Sequence, residues 1–386
     1  MDQATARAVL DRLVAFPSVS RDSNLDLIRW VADWLAGHGI PATVVMRPCG
    51  TKAQLFAQAG PDAPGGVILS GHSDVVPVDG QAWTSDPFTL TERAGRLYGR
   101  GTADMKGFVA LAIAALPLAQ AAGIRRPLQL ALSCDEELGC VAVQDLIPAL
   151  DAALARASAV IVGEPTRMKV VTGHKGGAGW TVHAKGHAVH SSLLPEGVSA
   201  IMEAARLIDW ANDRNAELQA RPPAPLAAAF HPPFTTLHAG MIDGGTAHNI
   251  TAADCRFSLE VRVVPGEDLA GWIAAVEAEA ARIAAAMQSV RPATGITLDR
   301  YFTLPPVTPE PDGAAERLAR RLTGDNGLHV VSYGTEGGHF QAAGYSTVVC
   351  GPGDIAQAHQ ADEYLALSEF AAGWTFMERL VADLRD

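Results

Sequence analysis

The stretch VILSGHSD, Val67 to Asp74, sets the reading of this chain. Val67–Ser70 is a short β-rich run entered through a Gly/Pro turn (PDAPGG), and it delivers His72 and Asp74 just past its end. Residues two apart on an extended segment face the same side, which places Asp74 to hydrogen-bond the second ring nitrogen of His72. Three runs of the same kind follow: Leu128–Ser133 (LQLALS), Ala159–Val162 (AVIV) and Thr347–Cys350 (TVVC). Helical stretches, Lys106–Gln120 and roughly Val141–Arg156, separate the first three, and the N-terminus (MDQATARAVLDRLVAF) reads as an amphipathic helix. Short apolar strands alternating with helices predict an α/β fold, a parallel or mixed sheet covered on both faces by helices.

The pattern changes after about Lys175. A glycine cluster (GHKGGAG) leads into a strand at Trp180–Ala184, then a helix from about Gly197 to Leu218. Beyond a Pro/Ala-rich connection come alternating strands at Thr235–Met241 and Arg256–Val263, a helix at Leu269–Met287 and a strand at Ile296–Phe302. That succession, β-α-β-β-α-β, is ferredoxin-like. The expected organisation is therefore one α/β domain in two parts, residues 1–174 and 301–386, interrupted by an α+β insertion over residues 175–300.

Side chains able to bind metal collect after the strands. His72 and Asp74 follow the first run, Asp104 opens the Lys106 helix, Glu136 and Glu137 follow LQLALS, Glu164 follows AVIVG, and His359 comes after TVVC. Ligands of open α/β sheets bind beyond the carboxyl ends of the strands, so these groups are expected to converge on one crevice. Each has an ordinary explanation by itself: an H-x-D spacing occurs by chance, and paired glutamates often open a solvated helix. Together they suit Zn²⁺ or a related divalent ion without a thiolate.

Composition bounds the rest. The chain has 386 residues, 30 Lys+Arg against 42 Asp+Glu, and a net charge of −12, which argues against a nucleic-acid binder or a partner of anionic membranes. With 48% hydrophobic and 19% charged residues it is too apolar for disorder. Five cysteines without a C-x-x-C spacing point away from a disulfide framework, so a soluble protein of the cytoplasm is expected. Phe108–Ala122, the longest apolar stretch, is shorter than a bilayer span. No G-x-S-x-G or H-E-x-x-H occurs, and no G-x-G-x-x-G follows the first strand, so serine hydrolase and dinucleotide chemistry lack support.

GHSDVVPVDG, WTSDPF, LYGRGTADMKG, DEELGC and VGEPT, in that order, resemble the M20 metallopeptidase and deacylase family. The segment Tyr333–Leu365 (YGTEGGHFQAAGYSTVVCGPGDIAQAHQADEYL) is similar to its acetylornithine deacetylase branch. The resemblance implies a zinc-hydrolase-type catalytic domain, an inserted lid and dimerisation domain, a homodimer, and two divalent ions, Zn²⁺ or Co²⁺. It implies that Asp104 bridges the ions, His72 and Glu164 complete one, and Glu137 and His359 complete the other. Asp74 would orient His72, and Glu136 would be the general base and acid. His190 (GHAVHSS), Asn249 (GGTAHNIT) and Arg262 (EVRVV) would contact the substrate. The implied reaction removes the acetyl group of N²-acetyl-L-ornithine, a step of arginine biosynthesis; the alternatives are another N-acyl amino acid deacylase, such as a succinyl-diaminopimelate desuccinylase, or a dipeptidase. His339, in Gly337-Gly338-His339, departs from the branch's usual GTEAG and is either a cationic or metal-binding group near the substrate or a surface histidine.

Overall fold

Val67–His72 is a strand buried along its whole length, as an apolar run in the middle of a sheet must be. The computed structural model describes residues 1–386, and it places that strand in an eight-stranded mixed sheet flanked by helices. The order is Ala42–Met46, Ala53–Ala59, Leu128–Ser133, Val67–His72, Ala159–Pro165, Thr347–Gly351, Val171–His174 and His329–Val331. The four runs legible in the sequence are its four central neighbours, and their three pairings are parallel. Their carboxyl ends therefore share one edge. Antiparallel strands extend the sheet beyond Leu128–Ser133, and Val171–His174 joins the other side antiparallel.

Phe108–Ala122 belongs to the helix Gly107–Ala122, which is apolar on all sides and buried. Helix Thr102–Ala122 is long and apolar enough to cross a membrane by composition, yet it lies within the core beside helices Gln3–Val14 and Leu367–Asp383. The N-terminal helix turns Ala6, Val9, Leu10, Leu13 and Val14 inward, the face its period implies.

The chain divides into two units, residues 1–173, 309–330 and 335–386 in one, and 174–308 with 331–334 in the other. The second unit runs on to residue 308 because its last strand spans Gly295–Leu304 and Val307 bridges back to His174. It has an antiparallel sheet in the order Thr236–His238, Asp254–Val263, Gly176–Lys185, Gly295–Leu304, with a short Ile242–Gly244 strand on Asp254–Val263. Burial alternates along Asp254–Val263, so one face packs against the helices Ala200–Ala220 and Leu269–Val290 around the fully buried Trp180.

Candidate metal centre

The shared strand edge gathers the expected residues of the first unit. His72 ends its strand and is fully buried; Glu164 lies within Ala159–Pro165; Glu136 and Glu137 occupy the turn after Ser133. Asp104 precedes the helix Gly107–Ala122, in a segment where its own backbone is extended (φ −125°, ψ 93°). Its Oδ1 lies 3.1 Å from His72 Nε2 and its Oδ2 lies 3.3 Å from His359 Nε2. Each oxygen thus faces a different histidine. Glu164 Oε1 is 3.8 Å from His72 Nε2, and Glu137 Oε2 is 3.1 Å from His359 Nε2. Ligand atoms of His72, Asp104 and Glu137 lie within 4.8 Å of one another, and so do those of His72, Glu136 and Glu164.

Asp74 acts differently from the sequence expectation. His72 Nδ1 meets the main-chain carbonyl of Asp74 at 2.9 Å, while the nearest carboxylate oxygen is 3.7 Å away. That carboxylate instead accepts from Ser20 Oγ at 2.8 Å and from the amides of Glu136 and Glu137 at 3.3 Å each. The strand has already ended at Asp74, so the i, i+2 rule no longer applies. Asp74 fixes His72 through its backbone and the paired-glutamate turn through its side chain.

The electrostatics are those of a cation site. Burial raises the carboxyls of Glu136, Glu137 and Glu164, and Asp104 raises them further; Glu136 reaches about 8 although His72 pulls it down. Burial acts to raise Asp104 too, but hydrogen bonds with His359 and His72 outweigh it and hold that carboxyl below the usual carboxylate range. Hydrogen bonds to Asp104 and Glu137 raise His359 to about 10. Glu137 Oε1 and Glu164 Oε1 are buried with no hydrogen-bond partner. Crowded carboxylates with orphaned oxygens beside two imidazoles are the donor set of a divalent ion, so the residues fit such a group.

The family then follows. Residues 68–383 match Peptidase family M20/M25/M40. The chain belongs to the M20 family. Among solved structures, the M20 metallo-carboxypeptidase Sso-CP2 of Sulfolobus solfataricus has 17% identity and a TM-score of 0.78, with 99% of each chain covered. Human carnosine dipeptidase 1 has 18% identity and a TM-score of 0.73, with 99% of this chain and 96% of that one covered. The YXEP protein of Bacillus subtilis, a dinuclear metal binding M20 peptidase, has 16% identity and a TM-score of 0.66 over 99% and 98%. These likenesses are of fold.

Other site residues of this M20 chain are placed less simply. His190 and Asn249 belong to the second unit and are neighbours: Ser191 N donates to Asn249 O at 2.9 Å, and His190 bridges Ile250. Both are exposed. Arg262 is not with them. It lies at the far end of the strand Asp254–Val263, eight residues or roughly 25 Å along, where it pairs with Glu260. His339 is half-buried in the helix Gly337–Ala342, and burial lowers its pKa to about 4, which disfavours the cationic form.

Two buried glutamates escaped sequence reasoning. Glu336 is fully buried and accepts from Ser70 Oγ at 2.5 Å and Ser133 Oγ at 2.6 Å, joining the strands that carry His72 and the paired glutamates. Glu363, 1% exposed, accepts from Arg100 and from three amides of the Asp104 turn. Their only sequence signal is nearness to the TEGG and AHQADEYL segments.

Proposed function

We propose that this chain is a metal-dependent amidohydrolase that removes the acyl group from an N-acyl α-amino acid, with N²-acetyl-L-ornithine as substrate and L-ornithine and acetate as products. One observation carries the chemistry: Asp104 stands between His72 and His359, flanked by Glu164 and Glu137, with Glu136 beside them. In that reading Asp104, His72, Glu164, Glu137 and His359 would hold two divalent ions, Zn²⁺ or alternatively Co²⁺, with His72 and Glu164 serving one, Glu137 and His359 the other, and Asp104 both. Two such ions supply a water nucleophile at neutral pH and polarise the amide carbonyl. Glu136 takes a proton from the attacking water and later delivers it to the departing amine nitrogen. Its burial and its hydrogen bond from Cys140 Sγ at 3.1 Å hold it ready for both transfers.

His190, Asn249 and Arg262 are the substrate-binding residues in this reading. Asn249 precedes the strand Asp254–Val263 and Arg262 lies near its other end, an arrangement that suits a substrate site to which two copies of the chain contribute. This favours a homodimer through the second unit, which then acts as the lid. Mixing inactive His190→Ala and Arg262→Ala proteins should restore part of the activity. The choice of acetylornithine rests on the likeness of Tyr333–Leu365 to that branch, and the −12 net charge is compatible with a cationic side chain. Metal analysis with activity before and after chelation tests the chemistry. Comparing kcat/KM for acetylornithine with that for acetylmethionine, succinyl-diaminopimelate and dipeptides tests the substrate, and a preference for any of the others would refute it.

A further inference from the structure

We infer that Gln81, Arg100 and Glu363 form a clasp that sets the distance between Asp104 and His359, making them positioning residues for the ion those two share. The inference rests on the metal-centre reading above. Glu363 is four residues beyond His359, and its carboxylate organises the turn that carries Asp104. Oε1 accepts from Ala103 N at 2.9 Å and Asp104 N at 3.1 Å. Oε2 accepts from Gly101 N at 3.0 Å and Arg100 Nη1 at 2.7 Å. Three amides of one turn, those of Gly101, Ala103 and Asp104, aim at this buried carboxylate, and without that acceptor they would be orphaned.

Arg100 carries the link across to the His359 segment. It is 1% exposed, donates from Nη1 to Gln360 O at 3.2 Å, and donates from Nη2 to Gln81 Oε1 at 2.5 Å. Gln81 Nε2 in turn donates to His359 O at 2.9 Å. That bond matters because His359 has a left-handed backbone (φ 63°) and a side chain half open to solvent, so little packing fixes its ring. Nearby, Thr84 N and Oγ1 tie the same segment through Asp362 Oδ1 at 2.9 and 3.0 Å. A buried Arg–Glu pair is a poor source of stability, since an apolar pair of the same volume does as well. What an apolar pair cannot do is hold three amides and a glutamine at fixed positions. Arg100 and Glu363 are buried, so they act through Asp104 and His359 rather than on substrate.

The test is Co²⁺ titration of metal-free protein by calorimetry and visible absorption, on wild type, Gln81→Ala, Glu363→Gln and His359→Ala. His359→Ala identifies which of two binding steps belongs to the His359 ion. Gln81→Ala should weaken that step by about tenfold or more, and leave the other within about twofold. Glu363→Gln, which turns an amide donor toward those amides, should weaken the same step further. The inference is overturned if both steps in Gln81→Ala match wild type, or if both fall by the same factor, as general loosening would produce. Wild-type protein that takes up no Co²⁺ overturns the metal-centre reading itself, and the inference with it.

Discussion

Gly163, the residue before Glu164, is where packing and chemistry are most tightly joined. A Cβ there would lie 2.0 Å from both Cδ1 and Cγ of Phe108, whereas ordinary contact begins at 3.4 Å. The ring must therefore retreat by more than an ångström. It cannot do so freely, because Phe108 is buried in the central helix. Overpacking of this kind costs about 1–3 kcal/mol, and the overlap places Gly163→Ala near the upper end. At about 2–4 °C per kcal/mol for a protein domain of this size, the midpoint of thermal unfolding should fall by roughly 6–12 °C. Calorimetry on metal-free protein measures it. Phe108→Leu removes the clash, so the double variant should be less destabilised than the sum of the singles by about 1 kcal/mol or more. Glu164 is displaced with its neighbour, so metal uptake should weaken in Gly163→Ala and recover in the double variant. A midpoint within about 2 °C of wild type, or strict additivity, would refute the packing account.

Glu136→Gln should lower turnover by about 10²–10⁴-fold with metal content unchanged, as atomic emission and steady-state kinetics would report; near-normal turnover would remove it as base. In metal-free protein the carboxyl of Glu136 is raised to about 8 and His359 to about 10. A folded-state pKa above the unfolded one stabilises below the unfolded value and loses that contribution as pH rises through the folded one. Thermal midpoints in chelator should therefore fall from about pH 5 to about pH 10, and metal should restore more stability at the alkaline end; a rising midpoint would contradict this. Lys52 pairs with Asp135, next to Glu136, with side chains 13% and 10% exposed. Lys52→Met should cost about 3 kcal/mol in urea unfolding by leaving that carboxylate unpaired, and adding Asp135→Asn should recover part of it.

The central sheet was legible because its strands are apolar runs bounded by turns. Ala42–Met46 and Ala53–Ala59 were not. The first (ATVVM) is β-rich but short and exposed at the edge of the sheet, and the second (AQLFAQA) lacks β-branched residues. The sheet thus has eight strands where four were expected. Glu136, Glu137, Glu164 and His359, gathered around His72 and Asp104, are visible as residue types after the strands, since a parallel sheet brings such ends together. The contact of Asp74 with His72 comes from its carbonyl, a group every residue carries, so residue type gives no sign of it. Glu336 and Glu363 look like any surface glutamate until burial and donors are known.

By itself the sequence determined the alternation of strands and helices and the residue types available to a cation, because these follow from periodicity and residue chemistry. Tertiary structure decided what depends on distance. It turned the two oxygens of Asp104 toward different histidines and half-buried His339, which lowers its pKa. It also set Arg262 far from His190 and wrapped the Asp104 turn around Glu363. Hydrogen bonding and desolvation act over a few ångströms between residues as many as 278 positions apart, as in Gln81 and His359, and no local pattern encodes that proximity.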